Sequence, residues 1–141
     1  MTSRLTKEKN TMPRFSDRSM RRLLTCDQQL VILFEEVIKY FDCTVVCGHR
    51  DKEDQMAAYN SKNSKTPWPR SKHNSLPSKA VDVIPYPLDW EDRERMTYFA
   101  GVVKGIASQL GIGIRWGGDW DRDTEVKDNK FDDLVHFELY G

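Results

Sequence analysis

The spacing of apolar residues along the chain predicts four helices. A short helix is expected over residues 16–22, and a stronger one follows the capping residue Asp27. Residues 51–59 form a third. The longest spans residues 89–110 and ends at Gly111, a position typical of a helix C-terminus. In the second helix, apolar residues recur at three- and four-residue spacing and predict a core-facing stripe: Leu30, Phe34, Val37, Ile38 and Phe41.

Four short apolar runs predict strands at residues 44–47, 79–84, 112–116 and 134–140. Between the first two, residues 61–78 are polar and contain three prolines, which indicates a long loop. Helices followed by strands, with one long helix among them, favour an α+β fold. We expect a small, mainly antiparallel sheet with helices packed on one face.

The length of 141 residues fits one domain with a single core. Its 22 basic and 22 acidic residues cancel, so no overall field favours nucleic acid or membrane as a partner. The first 25 residues nevertheless hold seven basic and two acidic side chains. Residues 1–15 also lack apolar periodicity, and we expect them to be a disordered basic tail, with the folded domain at 16–141.

The chain has no apolar run of the roughly 18 residues that a membrane helix needs, and its N-terminus lacks the apolar segment of a secretory signal. We therefore expect a protein made in the cytoplasm. The three cysteines are irregularly spaced, which favours small buried apolar residues in a reducing compartment over disulfides or metal ligands: Cys26, Cys43 and Cys47. Strand periodicity places Cys43 and Cys47 on the same face.

Two predicted strands carry polar residues on the face opposite their apolar ones. Val81 and Val83 point one way along their strand and Asp82 points the other. On the last strand, His136 and Glu138 share one face, and the other face is apolar: Val135, Phe137 and Leu139. If the two strands are neighbours, Asp82 and His136 converge.

His73, on the loop before the first of these strands, can complete a three-ligand set with Asp82 and His136. Two imidazoles and a carboxylate leave the fourth position of a tetrahedral zinc ion open, which is the catalytic arrangement. The residues alone also permit a simpler interpretation. A strand histidine is commonly packed or hydrogen-bonded, and an aspartate between valines can cap a strand end.

Asp133, three residues before His136, is a candidate base for water activated by the metal. The odd spacing places the two side chains on opposite faces of an ideal strand. Residues 131–134 must therefore still be turning, or the role falls to Asp132 or Glu138.

Four segments occur in a fixed order: Gly48-His49-Arg50 with Gln55, Ser71-Lys72-His73 with Ala80-Val81-Asp82, residues 115–120, and residues 133–139. Together they resemble the zinc peptidases that cut peptidoglycan stem peptides. That group includes D-Ala-D-Ala carboxypeptidases and dipeptidases and the L-alanyl-D-glutamate endopeptidases of bacteriophage endolysins. The likeness covers about residues 27–140. It departs from the usual pattern in the nine-residue interval between His73 and Asp82, where seven is common, and in Ser78, which replaces a glycine.

The resemblance implies a DD-peptidase or hedgehog-like fold and one zinc ion per chain, held by His73, Asp82 and His136. Asp133 would act as general base and then as general acid for the leaving amine. Arg50 would stabilise the developing oxyanion or clamp a substrate carboxylate. An ion pair of Arg50 with nearby surface carboxylates is the alternative: Asp51 or Asp54.

Other residues have roles that the resemblance implies less directly. Ser71, Gln55 and Trp116 are expected to contact substrate, and Glu138 to support the ligand His136. Trp116 and Trp120 either wall the cleft or pack in the core. Basic residues crowd the loop before His73 and form either a solvated face or a surface that favours an acidic stem peptide: Lys62, Lys65, Arg70 and Lys72.

The predicted function is zinc-dependent hydrolysis of an amide in the peptidoglycan stem peptide, with L-alanyl-D-glutamate endopeptidase activity first and D-Ala-D-Ala carboxypeptidase activity second. The expected partner is bacterial peptidoglycan, with no nucleic acid, and the expected state is a monomer that reaches the cell wall without a signal peptide. The competing class is a non-enzymatic, zinc-containing wall-binding module.

Overall fold

The computed structural model describes residues 13–122 and 133–140. All of the predicted helices and strands are present in this part of the chain, with ends shifted by a few residues. The helices are α1 Asp17–Leu23, α2 Gln28–Val37, α3 Lys52–Asn60 and α4 Arg93–Leu110, with a short 3-10 helix at Lys72–Asn74. The strands are β1 Cys43–Cys47, β2 Ala80–Pro85, β3 Ile114–Gly117 and β4 Asp133–Leu139.

The four strands form one antiparallel sheet in the order β1-β2-β4-β3. β2 and β4 are neighbours at its centre, and Asp82 lies directly opposite His136. The α+β fold with a mainly antiparallel sheet is confirmed, as is the neighbour relation of the two central strands.

The capping residues predicted from the sequence begin and end the helices. The Ser16 side chain accepts a hydrogen bond from the backbone N–H of Ser19, at 3.1 Å. At α2, Asp27 accepts from Gln29 at 2.9 Å. Gly111 ends α4 with a φ of 71°, in the left-handed region that glycine adopts without strain.

Helices α1, α2 and α4 bury one face of the sheet. α4 packs on β2, β3 and β4, α2 packs on α4, and α1 packs on β1. At the centre, Phe137 of β4 makes edge contacts with Phe34 and Phe99, with ring centroids 5.5 and 6.1 Å away. Val81 and Val83 are fully buried in the same core, as strand periodicity predicts. The opposite face of the central strands is thereby left to the polar residues. None of the described helices has the length and apolarity needed to cross a membrane.

Packing at the N-terminal side of the domain reaches the residue before the expected boundary at 16. Residues 1–12 of the expected basic tail lie outside the described residues. Phe15, however, is partly buried and packs against the core. Contact with the core therefore includes Phe15, because this aromatic side chain has apolar surface to cover.

The cysteines follow the prediction at two of three positions. Cys26 and Cys43 are buried free thiols, and burial raises the pKa of Cys26 to about 12. Cys47 is only half-buried, and the prediction that it shares a face with Cys43 is wrong. The register of β1 against β2 shifts after Val45, and Cys47 lies opposite Asp82. This bulge reverses the alternation of side chains.

Asp27→Ala is expected to lower the free energy of unfolding by about 1 kcal/mol near neutral pH, through loss of the cap of α2. The hydrogen bond from Gln29, and then Lys79, hold the pKa of Asp27 below its usual value of 3.8. The ionised carboxylate therefore stabilises the fold above that value, and the stabilisation is lost as the pH falls. Urea unfolding at several pH values measures the effect. Asp27→Asn retains a capping oxygen and should lose mainly the pH dependence.

Candidate metal centre and substrate cavity

A cavity of about 1120 Å³ opens over the polar face of the central strands. Its floor comes from β2 and β4, which contribute Asp82 and His136. Part of the loop at residues 61–78 forms one wall, and Trp120 and Asp121, after β3, contribute to another. The long loop predicted from the sequence thus borders the site.

The structure brings together the three side chains that strand parity placed near one another. One nitrogen of His73, one nitrogen of His136 and one carboxylate oxygen of Asp82 all lie within 4.8 Å of each other. His73 Nε2 is 3.2 Å from Asp82 Oδ1, and His136 Nδ1 is 3.3 Å from the same oxygen. All three residues are buried. Such a group could hold a metal ion.

The remaining nitrogen of each imidazole is occupied by an acceptor. His73 Nδ1 donates to the carbonyl oxygen of Gly48 at 2.7 Å, because that oxygen can only accept. His136 Nε2 lies 2.8 Å from Glu138 Oε1, to which it donates. Both rings therefore direct their other nitrogen at the shared point beside Asp82. Acceptors of this kind fix the tautomer of ligating histidines.

Glu138 is itself held by two cations. Its Oε2 accepts from Arg115 at 2.6 and 3.1 Å and lies 3.4 Å from Lys72 Nζ. Burial alone would raise the pKa of this carboxyl, but the hydrogen bonds from His136 and Arg115 outweigh it and lower the pKa to about 2. Glu138 is therefore an ionised acceptor at neutral pH, in the position expected of a residue that supports His136.

Without a metal, the three residues form a buried charged cluster. Burial opposes the imidazolium of His73, but the neighbouring Asp82 carboxylate outweighs it and raises the pKa of His73 to about 10. Burial would also raise the pKa of Asp82, and the two histidines, His73 first, hold it well below the usual value. A metal ion binding here would displace protons from the imidazoles.

Asp133 is the first residue of β4, and it lines the cavity together with His136. Trp116 pairs with Phe137, whereas the next residue, Gly117, pairs with Asp133. This irregular register removes the parity conflict between Asp133 and His136. Burial, followed by the Asp82 charge, raises the pKa of Asp133 above its usual value. Asp132, the alternative base, lies outside the described residues.

Gly117 permits the close approach of β3 to the start of β4. A Cβ atom at this position would collide with the carbonyl oxygen of Asp133. Only a residue without a side chain leaves the backbone of Asp133 in place.

Arg50 lines the cavity with its side chain 16% exposed. Its NH2 group lies 3.5 Å from Asp82 Oδ2, and its NH1 group donates to Gln55 Oε1 at 2.9 Å. The alternative of a surface ion pair is wrong, because the carboxylate that pairs with Arg50 is Asp82. Asp51 instead caps α3 through the N–H of Asp54.

Gln55 and Ser71 position other groups of the site. Gln55 is fully buried and is absent from the described cavity lining, so it does not face the cavity in this structure. It accepts from Arg50 and from Asn74 and donates to Ser64 Oγ at 3.0 Å, so it joins α3 to the loop. Ser71 does line the cavity, and its hydroxyl accepts from the N–H of His73 at 3.1 Å.

The tryptophans divide between core and cavity. Trp116 is 4% exposed, donates from Nε1 to the carbonyl of Leu134 at 2.9 Å and belongs to the core, which favours the second of its two expected placements. Trp120 lines the cavity, with its ring centroid 5.3 Å from that of His136. Trp90, at 54% exposure, also lines it and was not predicted. A single exposed tryptophan has no sequence pattern that would have indicated this.

Gln55→Leu is expected to lower the free energy of unfolding by about 2 kcal/mol, because it leaves buried polar partners of Gln55 without their hydrogen bonds. Chemical denaturation measures the change. Gln29→Leu, at an exposed position of α2, is the matched control and should leave stability nearly unchanged. Equal stabilities of the two variants would contradict the role of Gln55 in joining α3 to the loop.

A buried histidine–aspartate–histidine group, a cavity-lining carboxylate and a cavity-lining arginine thus lie together on one antiparallel sheet. Residues 12–140 match the model of the phage L-alanyl-D-glutamate peptidase family, and the chain belongs to that family. The resemblance stated from the sequence is therefore confirmed, and the protein is a peptidase.

Two relatives show how far the likeness extends. The L-alanyl-D-glutamate peptidase of Escherichia phage T5 is 28% identical over 130 residues, which cover 84% of this chain and 93% of that protein. The crystal structure of the Serratia marcescens L-Ala D-Glu endopeptidase ChiX is similar, with a TM-score of 0.72 and 28% identity. That match covers 94% of each chain. The likeness thus includes nearly the whole domain.

Proposed function

We propose that this protein hydrolyses the amide between L-alanine and D-glutamate in the peptidoglycan stem peptide, in a zinc-dependent reaction. The observation that carries the proposal is the convergence of donor atoms from His73, Asp82 and His136 within 4.8 Å at the floor of a large cavity. Both relatives are named as peptidases of the bond between L-alanine and D-glutamate, which supports the same choice here. The protein would act on the bacterial cell wall as a monomer.

The three residues fit a zinc ion by the chemistry of their donors. Two imidazole nitrogens and a carboxylate oxygen are ordinary zinc ligands, and three protein ligands leave one position for water or substrate. Both imidazoles are held in the tautomer that ligation needs by Gly48 and Glu138. Zinc supplies Lewis-acid polarisation of a carbonyl and acidifies bound water.

The remaining chemistry belongs to side chains of the cavity. Asp133 would take a proton from the attacking water and return it to the leaving amine, for which a raised pKa is suited. Arg50, oriented by Gln55, would donate to the developing oxyanion or to a substrate carboxylate. Trp120 would form an apolar wall beside the substrate.

Mass spectrometry of fragments released from purified peptidoglycan tests the proposal. We expect products with a new N-terminal D-glutamyl residue, loss of product with a chelator, and recovery on addition of zinc. Release of terminal D-alanine alone would instead indicate carboxypeptidase activity. No fragments, with binding retained, would indicate a wall-binding module. Fragments unchanged by the chelator would contradict the zinc dependence.

Glu138→Gln is expected to weaken zinc binding by about 10–100-fold, because the charged acceptor that orients His136 becomes neutral. Activity should recover when zinc is raised, which separates this effect from loss of a reacting group. Competition with a chromogenic chelator measures the affinity. Glu35→Gln, at an exposed position of α2, is the control. Wild-type affinity in Glu138→Gln would contradict its role in orienting His136.

A further inference from the structure

The loop at residues 61–78 has an unusual charge pattern. It contains four lysine or arginine residues and no aspartate or glutamate, in a chain whose charges balance overall at 22 of each sign. Three of the four line the cavity: Lys65, Arg70 and Lys72. The fourth, Lys62, does not belong to the described lining. One wall of the cavity is therefore cationic, while the carboxylates of its described lining lie on or near the strands.

The cations of the cavity differ in their partners. Arg50 pairs with Asp82, and Lys72 and Arg115 share Glu138. Arg70 is exposed, and within residues 13–122 and 133–140 its guanidinium has no hydrogen-bond or ion-pair partner. A guanidinium is suited to bidentate recognition of a carboxylate.

The backbone that carries Arg70 is held on both sides. Its N–H donates to the carbonyl of Pro67 at 2.9 Å, and the next residue, Ser71, caps the 3-10 helix that presents His73. The carbonyl of His73 in turn accepts from the N–H of Arg50 at 2.8 Å. The backbone of Arg70 is thus fixed three residues from His73, so that only its side chain must be ordered when it binds a ligand.

We propose that Arg70 binds an ionised carboxylate of the residue that supplies the scissile amine, and so selects stem peptides in which that carboxylate is free over those in which it is amidated. This rests on the proposed function. A glutamyl residue has two carboxyl groups, and a linear peptide uses one of them to continue the chain. The other remains an anion close to the scissile nitrogen unless it is converted to an amide.

A pair of synthetic peptides tests the proposal. Both contain an acyl-L-alanyl bond to a γ-linked D-glutamyl residue, with a free α-carboxylate in one and an α-carboxamide in the other. We expect the zinc-loaded wild type to cleave the carboxylate form with a kcat/KM about tenfold higher. Arg70→Gln should lose that preference by slowing on the carboxylate form alone. Lys62→Gln removes the same charge from the same loop away from the cavity and should leave both rates unchanged.

Other results would overturn the proposal. An equal loss of rate on both peptides in Arg70→Gln, no loss on either, or a wild-type preference for the amide would each do so. If the wild type cleaves neither peptide, the proposed function fails. Binding of the carboxylate by Arg70 is then tested without catalysis. In that case calorimetry on the wild type and Arg70→Gln compares binding of the two peptides. A preference that depends on Arg70 would support the site, and equal affinities would reject it.

Discussion

Replacing Asp133 with asparagine is expected to lower kcat by about 10²–10⁴-fold, the usual contribution of a general acid–base residue. Asparagine has nearly the same shape but cannot accept the proton of the attacking water. Asp133 is outside the group that would hold zinc, so the metal content should stay near one ion per chain. Initial rates on a defined stem peptide, with metal analysis of the same preparation, give both values.

Asp54→Asn is the matched control for this substitution. Asp54 is exposed on α3 and does not belong to the described cavity lining, so its amide variant should retain nearly full activity. Wild-type turnover in Asp133→Asn would assign the base elsewhere, with Asp132 as the nearest alternative. Loss of zinc together with activity would instead identify Asp133 as a group that holds the metal.

Replacing Asp82 with alanine should eliminate both zinc binding and activity, because the two imidazoles that remain have lost the carboxylate they share. A second effect concerns the metal-free protein. In the wild type, Asp82 accepts from both buried histidines and lies beside Arg50. Removing one member of a buried charged cluster typically costs about 3–5 kcal/mol.

The stability lost in metal-free Asp82→Ala depends on pH with a definite sign. The raised pKa of His73 contributes stability below its ordinary value of 6.5, and this is lost as the pH rises through about 10. The lowered pKa of Asp82 contributes above 3.8 and is lost as the pH falls. The free energies of unfolding of the wild type and Asp82→Ala should therefore differ most between pH 3.8 and pH 6.5. Urea denaturation with a chelator present measures the difference. A gap that widens toward alkaline pH would contradict the charged cluster.

Side-chain alternation along ideal strands accounts for what the sequence could predict about the group formed by His73, Asp82 and His136. Asp82 alternates with Val81 and Val83, and His136 alternates with apolar residues of β4. Because both strands are regular at these positions, the two polar side chains emerge on the same face once β2 and β4 pair. The loop before β2 then needed only to bring His73 within reach.

The same rule failed where the strands are irregular. Cys47 was assigned to the face of Cys43, and Asp133 was in conflict with His136, because a bulge changes the alternation without any mark in the pattern of apolar residues. Trp116 presented a different difficulty. Its apolar ring suits a cleft and a core equally, and only packing against neighbouring strands decides between them.

Roles that depend on hydrogen bonds across the fold were also beyond the sequence. Gln55 was expected beside the substrate, yet it is buried and joins Arg50 to the loop. Arg115 was noted only as part of the matching segment at residues 115–120, and its bond to Glu138 connects β3 to β4. Such partners lie between 5 and 23 residues apart along the chain and follow no period.

The contact between Gly117 and the backbone of Asp133 gives one position an importance that its chemistry would not suggest. Glycine at 117 offers no proton, charge or ligand, yet even a methyl group there would push against the start of β4. A saturation screen for lytic activity should therefore find Gly117 as intolerant of substitution as Asp133. Variants at Gly117 would displace the backbone of Asp133 while retaining every side chain proposed to take part in the reaction.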